Sequence, residues 1–250
     1  MIFLLIAWVC FTLMQFIEAA SFGSRVAGKL TNRLSLGSSL QHTIFTLSRW
    51  FLPPLLFSLS FMIESGLSIQ SFLMTSFLLT ISAFFASLVV LLNFNYFQLL
   101  FQNLFIQYQN NSIPISILKV FFGKKIKFNM VNMETIPKIK NLSIKKIFTS
   151  IVAYLFLTTS FLVAFSFAIL TPEYRMTMSQ LTTLFQGFGA LILTMYIDPM
   201  IGRSLDVKLE NINWINNIYS IFIGRLLAYL FASIIFLYTY VVVWQTWTQR

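Results

Sequence analysis

The sequence predicts an all-α polytopic membrane protein, and three observations support this prediction. Of its 250 residues, 58% are hydrophobic and only 10% are charged. The mean hydropathy of +0.81 is far above that of a soluble globular domain. Apolar stretches recur at about the 17–25 residues that a helix needs to cross a bilayer. We therefore expect a single transmembrane domain over residues 1–250 and no soluble domain.

Six stretches have this length and composition, and each is interpreted as one transmembrane helix. They span residues 2–20, 35–62, 68–92, 147–170, 176–200 and 217–246. The first stretch lacks a preceding basic segment and runs into Glu18 instead of a small-residue cleavage site, so we expect a retained helix and not a signal peptide. Division of the six into three plus three would make the second half an inverted repeat of the first, which we keep as a hypothesis.

The longest loop, about residues 93–146, begins with an amphipathic segment after the third helix. Its apolar side chains share one helical face: Phe94, Phe97, Phe101, Leu104, Phe105 and Tyr108. This pattern is typical of a helix that lies in the membrane interface. The rest of the loop mixes aromatic residues with lysines. Two interpretations stay open for these lysines, namely that they bind anionic lipid head groups or that they only set the topology.

The positive charges predict the orientation of the chain. Thirteen of the 17 Lys and Arg residues lie in the connections after the first, third and fifth helices. The positive-inside rule places these connections in the cytoplasm and both termini outside. Because the net charge of +10 belongs to a belt beside the membrane, it indicates anionic membrane lipids as partners and not nucleic acid.

The composition argues against several kinds of site. Cys10 is the one cysteine of the sequence, which excludes a disulfide framework or a thiolate metal cluster within the chain. One His and two Asp residues leave little for a metal site or a nucleophile with its base. No G-x-x-x-x-G-K-[ST] loop occurs, so the chain has no such ATP site of its own. We predict no metal, no cofactor and no catalytic residue.

Charged residues nevertheless interrupt the predicted helices at several depths. The second helix carries one polar face: Ser35, Ser38, Ser39, His42, Thr46 and Arg49. Other predicted helices contain Glu18, Gln186 and Arg225, Asp198 closes the fifth, and Glu173 and Arg175 occupy a short outer loop. Because ionisable groups in hydrocarbon are costly and usually face a partner or a polar path, these residues are candidates for function.

Two blocks of the sequence resemble the Amj family, the membrane proteins named as alternates to MurJ. They read FIEAASFGSRVAGKLTNRLSLGSSLQHTIFTLSR and TPEYRMTMSQLTTLFQGFGALILTMYIDP. They cover the first two helices and the end of the fourth helix through the fifth. The resemblance implies a lipid II flippase of bacterial peptidoglycan synthesis in the cell membrane. Its cargo would be undecaprenyl diphosphate joined to a disaccharide pentapeptide, moved from the inner to the outer leaflet.

With this cargo, the charged residues receive hypothetical roles. Arginine suits bidentate contact with phosphate, and a membrane potential that is negative inside favours outward movement of anions by about 2.3 kcal/mol per charge per 100 mV. We expect cargo-binding stations at Arg25 and Arg33 near the cytoplasm, at Arg225 with Glu18 at mid-depth, and at Arg49 with Arg175 further out. Glu18, Glu173 and Asp198 would be counter-ions or gates. The polar groove would contain Ser38, His42, Thr46 and Gln186.

Three alternatives stay open at this point. A flippase for another polyprenyl-linked saccharide would use the same chemistry. A non-catalytic scaffold of cell-envelope synthesis predicts tightly packed polar stripes with no cavity that reaches a surface. A membrane-embedded enzyme acting on a prenyl-linked phosphate predicts a clustered acid–base set. Because six helices form a small body for so bulky a head group, we also expect either a homodimer or a groove that is open to lipid.

Overall fold

The computed structural model describes residues 2–109, 111–112, 115–116, 119, 142–206 and 211–248. This part of the chain contains helices and no β-strand. They are α1 (Ile2–Leu30), α2 (Leu34–Ser48), α3 (Leu52–Glu64), α4 (Ile69–Leu92), α5 (Phe94–Gln107), α6 (Ile144–Leu170), α7 (Arg175–Ile192), α8 (Asp198–Asp206) and α9 (Asn211–Thr248). Two short 3-10 turns, Arg49–Phe51 and Pro172–Tyr174, precede α3 and α7. A π-helical turn, Leu193–Ile197, joins α7 to α8.

Six spans within the described residues are long and apolar enough to cross a membrane. This confirms the predicted all-helical class with about six transmembrane helices. Two of the helices extend past charged residues that the sequence placed at or beyond their ends. α1 continues to Leu30, so Arg25 and Lys29 lie within the helix and not in a loop after it. The fifth span continues through α8, so Asp198 lies inside this span instead of closing it.

The second span is interrupted where two prolines follow each other. α2 ends at Ser48, and α3 begins at Leu52 with Pro53 and Pro54 in its first turn. A proline has no N–H to donate and its ring crowds the carbonyl four residues earlier, so a continuous α-helix cannot pass through this point undisturbed. Arg49 consequently lies in the 3-10 turn between two helices.

α1 is the central helix of the bundle. It packs against α2, α3, α4 and α5, while α9 packs against α4 and α6, and α7 lies on α6. Glycines allow two of these close approaches, since a Cβ on Gly37 of α2 would lie 2.7 Å from the carbonyl oxygen of Ser24 in α1. A Cβ on Gly189 of α7 would lie 2.8 Å from the carbonyl oxygen of Ala153 in α6. Small residues at such positions are typical of helix pairs in membranes.

The amphipathic segment after α4 forms a helix, as predicted, but its apolar face packs against protein. Phe101 and Phe105 of α5 are buried together with Ala27 of α1 and Leu40 of α2. Gln98 lies on the same buried side, with 4% of its surface exposed. α5 therefore covers the hairpin formed by α1 and α2. Its position in the membrane interface stays a prediction.

The packing of the helices does not test three other expectations. The outside location of both termini and the inverted repeat stay predictions. The lysine-rich part of the long loop falls almost wholly outside the described residues, including Lys124, Lys125, Lys127, Lys138 and Lys140, and so do Lys208 and Arg250.

Candidate functional site

A cavity of about 310 Å³ lies among α1, α2, α6, α9 and the segment from α7 to α8. Its polar and charged lining comes from distant parts of the chain: Glu18, Ser21, Arg25, Gln41, His42, Arg49, Tyr154, Gln186, Thr194, Asp198 and Arg225. Of these, His42 and Thr194 are exposed. The open side of the cavity is therefore between α2 and the π-helical turn after α7.

The most buried part of the lining is an ion pair between α1 and α9. Glu18 Oε2 lies 2.9 Å from Arg225 Nη2, and the two side chains are only 3% and 1% exposed. Arg225 Nε donates to the Tyr229 hydroxyl (2.7 Å) and Nη2 donates to Gln15 Oε1 (2.8 Å). Its guanidinium lies 4.9 Å from the ring centre of Tyr154. Buried charge is tolerated here because counter-charge and hydrogen-bond acceptors surround it.

Arg49 approaches the same carboxylate from the turn between α2 and α3. Its Nε lies 3.7 Å from Glu18 Oε1, and its side chain is 26% exposed. Ser48 Oγ donates to the same carboxylate oxygen (3.1 Å). The Arg49 guanidinium also lies over the ring of Phe45, 4.5 Å from its centre. The Glu18 carboxylate therefore lies beside both Arg49 and Arg225, for which the sequence predicts separate stations.

The positions of Glu18 in α1 and Arg49 after α2 explain why the two side chains lie at the same depth. At the helical rise of 1.5 Å per residue, Glu18 stands about 18 Å from the end of α1 at Leu30. Arg49 stands about 22 Å from the start of α2 at Leu34 by the same rise. The two helices form a hairpin, so these similar heights bring both residues to the same depth.

A second ion pair crosses the cavity from α1 to α8. Arg25 Nη2 lies 2.8 Å from Asp198 Oδ1, and the side chains are 8% and 25% exposed. The Nε of Arg25 is buried and has no hydrogen-bond partner in the described part of the chain. Both Glu18 and Asp198, two of the expected counter-ions, therefore contact arginines of the lining.

The remaining predicted residues do not all reach the cavity. Arg33 Nη1 donates to the carbonyl oxygen of Phe105 (2.6 Å) and so ties the hairpin to α5. Glu173 lies in the turn before α7 and Arg175 is the first residue of α7, and neither forms an ion pair with another described residue. Ser38 and Thr46 are not part of the lining, unlike His42 and Gln186. The Thr46 hydroxyl bonds to its own helix.

Sequence reasoning missed several polar residues of this region, among them Gln41, Ser48, Tyr154 and Thr194. Gly37, Gln41 and Ser48 are buried and follow one another at intervals of four and seven residues in α2. This spacing marks a helical face beside the more conspicuous face of hydroxyl residues. It is the signal that could have identified the packed side of α2 from the sequence. Tyr154 carries no such signal, because it lies in an apolar helix.

The two spans that flank the opening differ from the other four in hydropathy and in burial. Leu34–Glu64 and Pro172–Ser204 are both the least hydrophobic and the least buried of the six spans. Polar groups on lipid-facing surfaces are costly. The exposed faces of these spans are therefore suited to an opening that holds water or a polar ligand.

Comparison with known proteins extends the resemblance seen in two blocks. A family model described as "Amj: Alternate to MurJ" matches residues 11–246. No curated protein and no solved structure matches the chain. The matched region includes at least part of each of the six spans, as expected of a multi-pass protein of the bacterial cell membrane. The chain belongs to the Amj family.

Proposed function

We propose that this protein is a lipid II flippase that moves the undecaprenyl-diphosphate-linked peptidoglycan precursor from the cytoplasmic to the outer leaflet. The family description as an alternate to MurJ supports a transporter and not an enzyme. The observation that carries the mechanism is the convergence of Arg25, Arg49 and Arg225 on one open cavity. These cationic groups suit the diphosphate of the cargo.

Within the cavity, Arg49 is the arginine best placed to bind a diphosphate. Its distance of 3.7 Å to Glu18 is longer than the 2.9 Å between Glu18 and Arg225, and its side chain is far more exposed. Arg225 already bonds to Gln15, Glu18 and Tyr229. In this proposal Arg49 turns from Glu18 to the diphosphate, whereas Arg225 keeps the carboxylate in place. Arg225 is then a positioning residue and not the cargo station that the sequence suggested.

The position of the opening suggests how a large amphiphile can pass. A volume of about 310 Å³ is at the lower limit for small-molecule pockets, so the cavity holds only part of the head group. The remainder would occupy the opening between α2 and the π-helical turn after α7, and the polyprenyl tail would stay in lipid. A potential negative inside supplies about 2.3 kcal/mol per net negative charge per 100 mV. This route requires no ATP site.

The alternatives differ from this proposal in ways that the cavity helps to judge. A scaffold would pack its polar stripes tightly, whereas here polar groups line an opening. Another polyprenyl-linked saccharide shares the diphosphate and is distinguished by comparing cargoes in the same assay.

Anionic membrane lipids and a second copy of the chain are further partners that we propose from the sequence. The mass of the protein in lipid nanodiscs tests the homodimer.

Photo-crosslinking tests whether the head group enters the cavity. Phe45, which lines the cavity, is replaced by the photoreactive analogue p-benzoylphenylalanine, and the protein is illuminated with a lipid II analogue that has a short, soluble prenyl chain. We expect a crosslink that excess unlabelled lipid II suppresses, because both ligands compete for one site. Mass spectrometry identifies the crosslinked product.

The matched control carries the same analogue at Phe85, which lies on α4, is 56% exposed and is not part of the cavity lining. Any crosslink there is expected to be insensitive to unlabelled lipid II. Equal sensitivity at both positions, or no suppressible crosslink at Phe45, would contradict the proposed location of the cargo.

A further inference from the structure

The side chain of Gln41 is buried, and its oxygen has no partner in the part of the chain that the structure describes. It is 9% exposed, and its Oε1 is buried without a hydrogen bond to any described residue. Nearly all buried polar groups in folded proteins are hydrogen-bonded, so an exception needs an explanation. Gln41 lines the charged cavity, and a ligand in that cavity would provide the missing partner.

A second polar atom of the cavity, on α1, also lacks a partner among the described residues. Arg25 also lines the cavity, and its Nε is buried without a partner. The contact in which Ser24 Oγ donates to the carbonyl oxygen of Gly37 (3.0 Å) aligns the two antiparallel helices. From this contact, Arg25 lies one residue toward the turn of the hairpin and Gln41 four residues away from it, about 7.5 Å apart in height by the helical rise. The lining of the cavity therefore contains a guanidinium donor and, further from the turn, a carboxamide.

These two groups require different atoms from a ligand. A phosphate oxygen can accept from the Arg25 Nε, but ionised phosphate has no proton to donate to an amide oxygen. The oxygen and nitrogen of a carboxamide can exchange places by a flip of the side chain. With the oxygen in the buried position Gln41 requires a donor, and with the amide nitrogen there it requires an acceptor; a ligand group that both donates and accepts satisfies either orientation, whereas phosphate satisfies only the second. Sugar hydroxyl and amide groups meet this requirement.

We propose that Gln41 and Arg25 form a subsite for the sugar that adjoins the diphosphate. The inference rests on the proposed function and identifies the part of the cargo that contacts this side of the cavity. Arg49 holds the diphosphate, and the neighbouring sugar donates to and accepts from Gln41. Gln41 is then a specificity-determining residue that favours the sugar-bearing lipid over the bare prenyl diphosphate.

Binding of two lipids to the full chain in nanodiscs tests this assignment. The probes are lipid II and undecaprenyl diphosphate, which has no sugar. In the Gln41→Leu variant we expect lipid II to bind about 5- to 20-fold more weakly, the loss that one or two hydrogen bonds produce. The affinity for undecaprenyl diphosphate is expected to stay unchanged, and this also shows that the variant is folded.

Gln102 provides the matched control, because its amide nitrogen is likewise buried and unpaired, but it lies on α5 and outside the cavity lining. Gln102→Leu is expected to change neither affinity. Should Gln41→Leu fail to fold, Gln41→Asn keeps the carboxamide, withdraws it by one methylene, and is expected to show a smaller loss that is again confined to lipid II.

The outcomes separate this inference from the proposed function. A wild-type chain that binds neither lipid would overturn the flippase proposal and the subsite with it. If the wild type binds both lipids, an unchanged affinity of Gln41→Leu for lipid II would overturn the subsite alone. Equal losses for the two lipids would do the same, since they would place Gln41 at the diphosphate.

Discussion

Replacing Glu18 by alanine is expected to lower the free energy of unfolding by about 3–5 kcal/mol, the usual cost of removing one partner from a buried ion pair. Glu18 is 3% exposed and neutralises Arg225, which is 1% exposed. Without the carboxylate, the Arg225 charge stays buried with only the neutral acceptors Gln15 and Tyr229. Arg49 loses its counter-ion in the same step. Unfolding in mixed micelles, followed by circular dichroism, measures this loss, and we expect lipid II translocation to be abolished as well.

A double variant separates the electrostatic cause from a packing defect. Glu18→Leu combined with Arg225→Met replaces the pair by apolar side chains, and such exchanges are often neutral or stabilising. We expect the double variant to recover most of the stability that Glu18→Ala loses. It is still expected not to translocate lipid II, because Arg49 lacks the carboxylate that orients it. A Glu18→Ala protein as stable as the wild type would contradict this description of the pair.

Replacing Arg49 by alanine is expected to slow lipid II translocation by about 10- to 100-fold, the effect of losing one charge-assisted contact to the diphosphate. The fold should tolerate this change better than the loss of Glu18, because Arg49 is 26% exposed and its ion pair is longer. Arg49→Lys is expected to lie between the two, since it keeps the charge but not the planar fork. The initial rate of translocation in proteoliposomes measures each variant.

Arg203→Ala is the matched control for Arg49→Ala. It removes an equal charge from an exposed position of α8 that does not line the cavity. Its translocation rate is expected to match that of the wild type. A stably inserted Arg49→Ala protein that translocates at the full rate would remove Arg49 from the mechanism, and equal losses in both variants would indicate an unspecific effect of charge.

The six spans could be predicted from the sequence because apolar length is a direct requirement of the bilayer. The ends of the helices were less accessible. Arg25 and Lys29 suggested a loop after the first span, yet α1 continues to Leu30 because its polar end packs against α2 and α5. This difference matters for the site, since a shorter helix displaces Glu18 toward the cytoplasm in any count of helical rise. The separate stations expected for Arg49 and Arg225 followed from a sixth helix that was expected to begin at residue 217, whereas α9 begins at Asn211 and so places Arg225 about 21 Å from its start by the helical rise.

The membership of the candidate site and the pairing of Arg225 with Glu18 could be predicted, but the approach of Arg49 to the same carboxylate could not. Arginines and carboxylates within apolar spans stand out because of their cost in hydrocarbon, and Glu18, Arg25, Arg49, Asp198 and Arg225 all line the cavity. Their partners depend on which helices pack together, and periodicity contains no such information. Gln41 illustrates the remaining limit, because a glutamine in a span is unremarkable until packing leaves it unpaired beside a cavity.

We propose that this chain alone moves lipid II across a membrane through the cavity of Glu18, Arg25, Arg49 and Arg225. The most direct test is lipid II translocation in proteoliposomes that contain only the purified protein, with a potential that is negative inside. We predict that lipid II supplied in the inner leaflet appears in the outer leaflet faster than in protein-free vesicles, and faster still as the potential rises. A folded, inserted protein that leaves lipid II in its original leaflet under the same potential would contradict the claim.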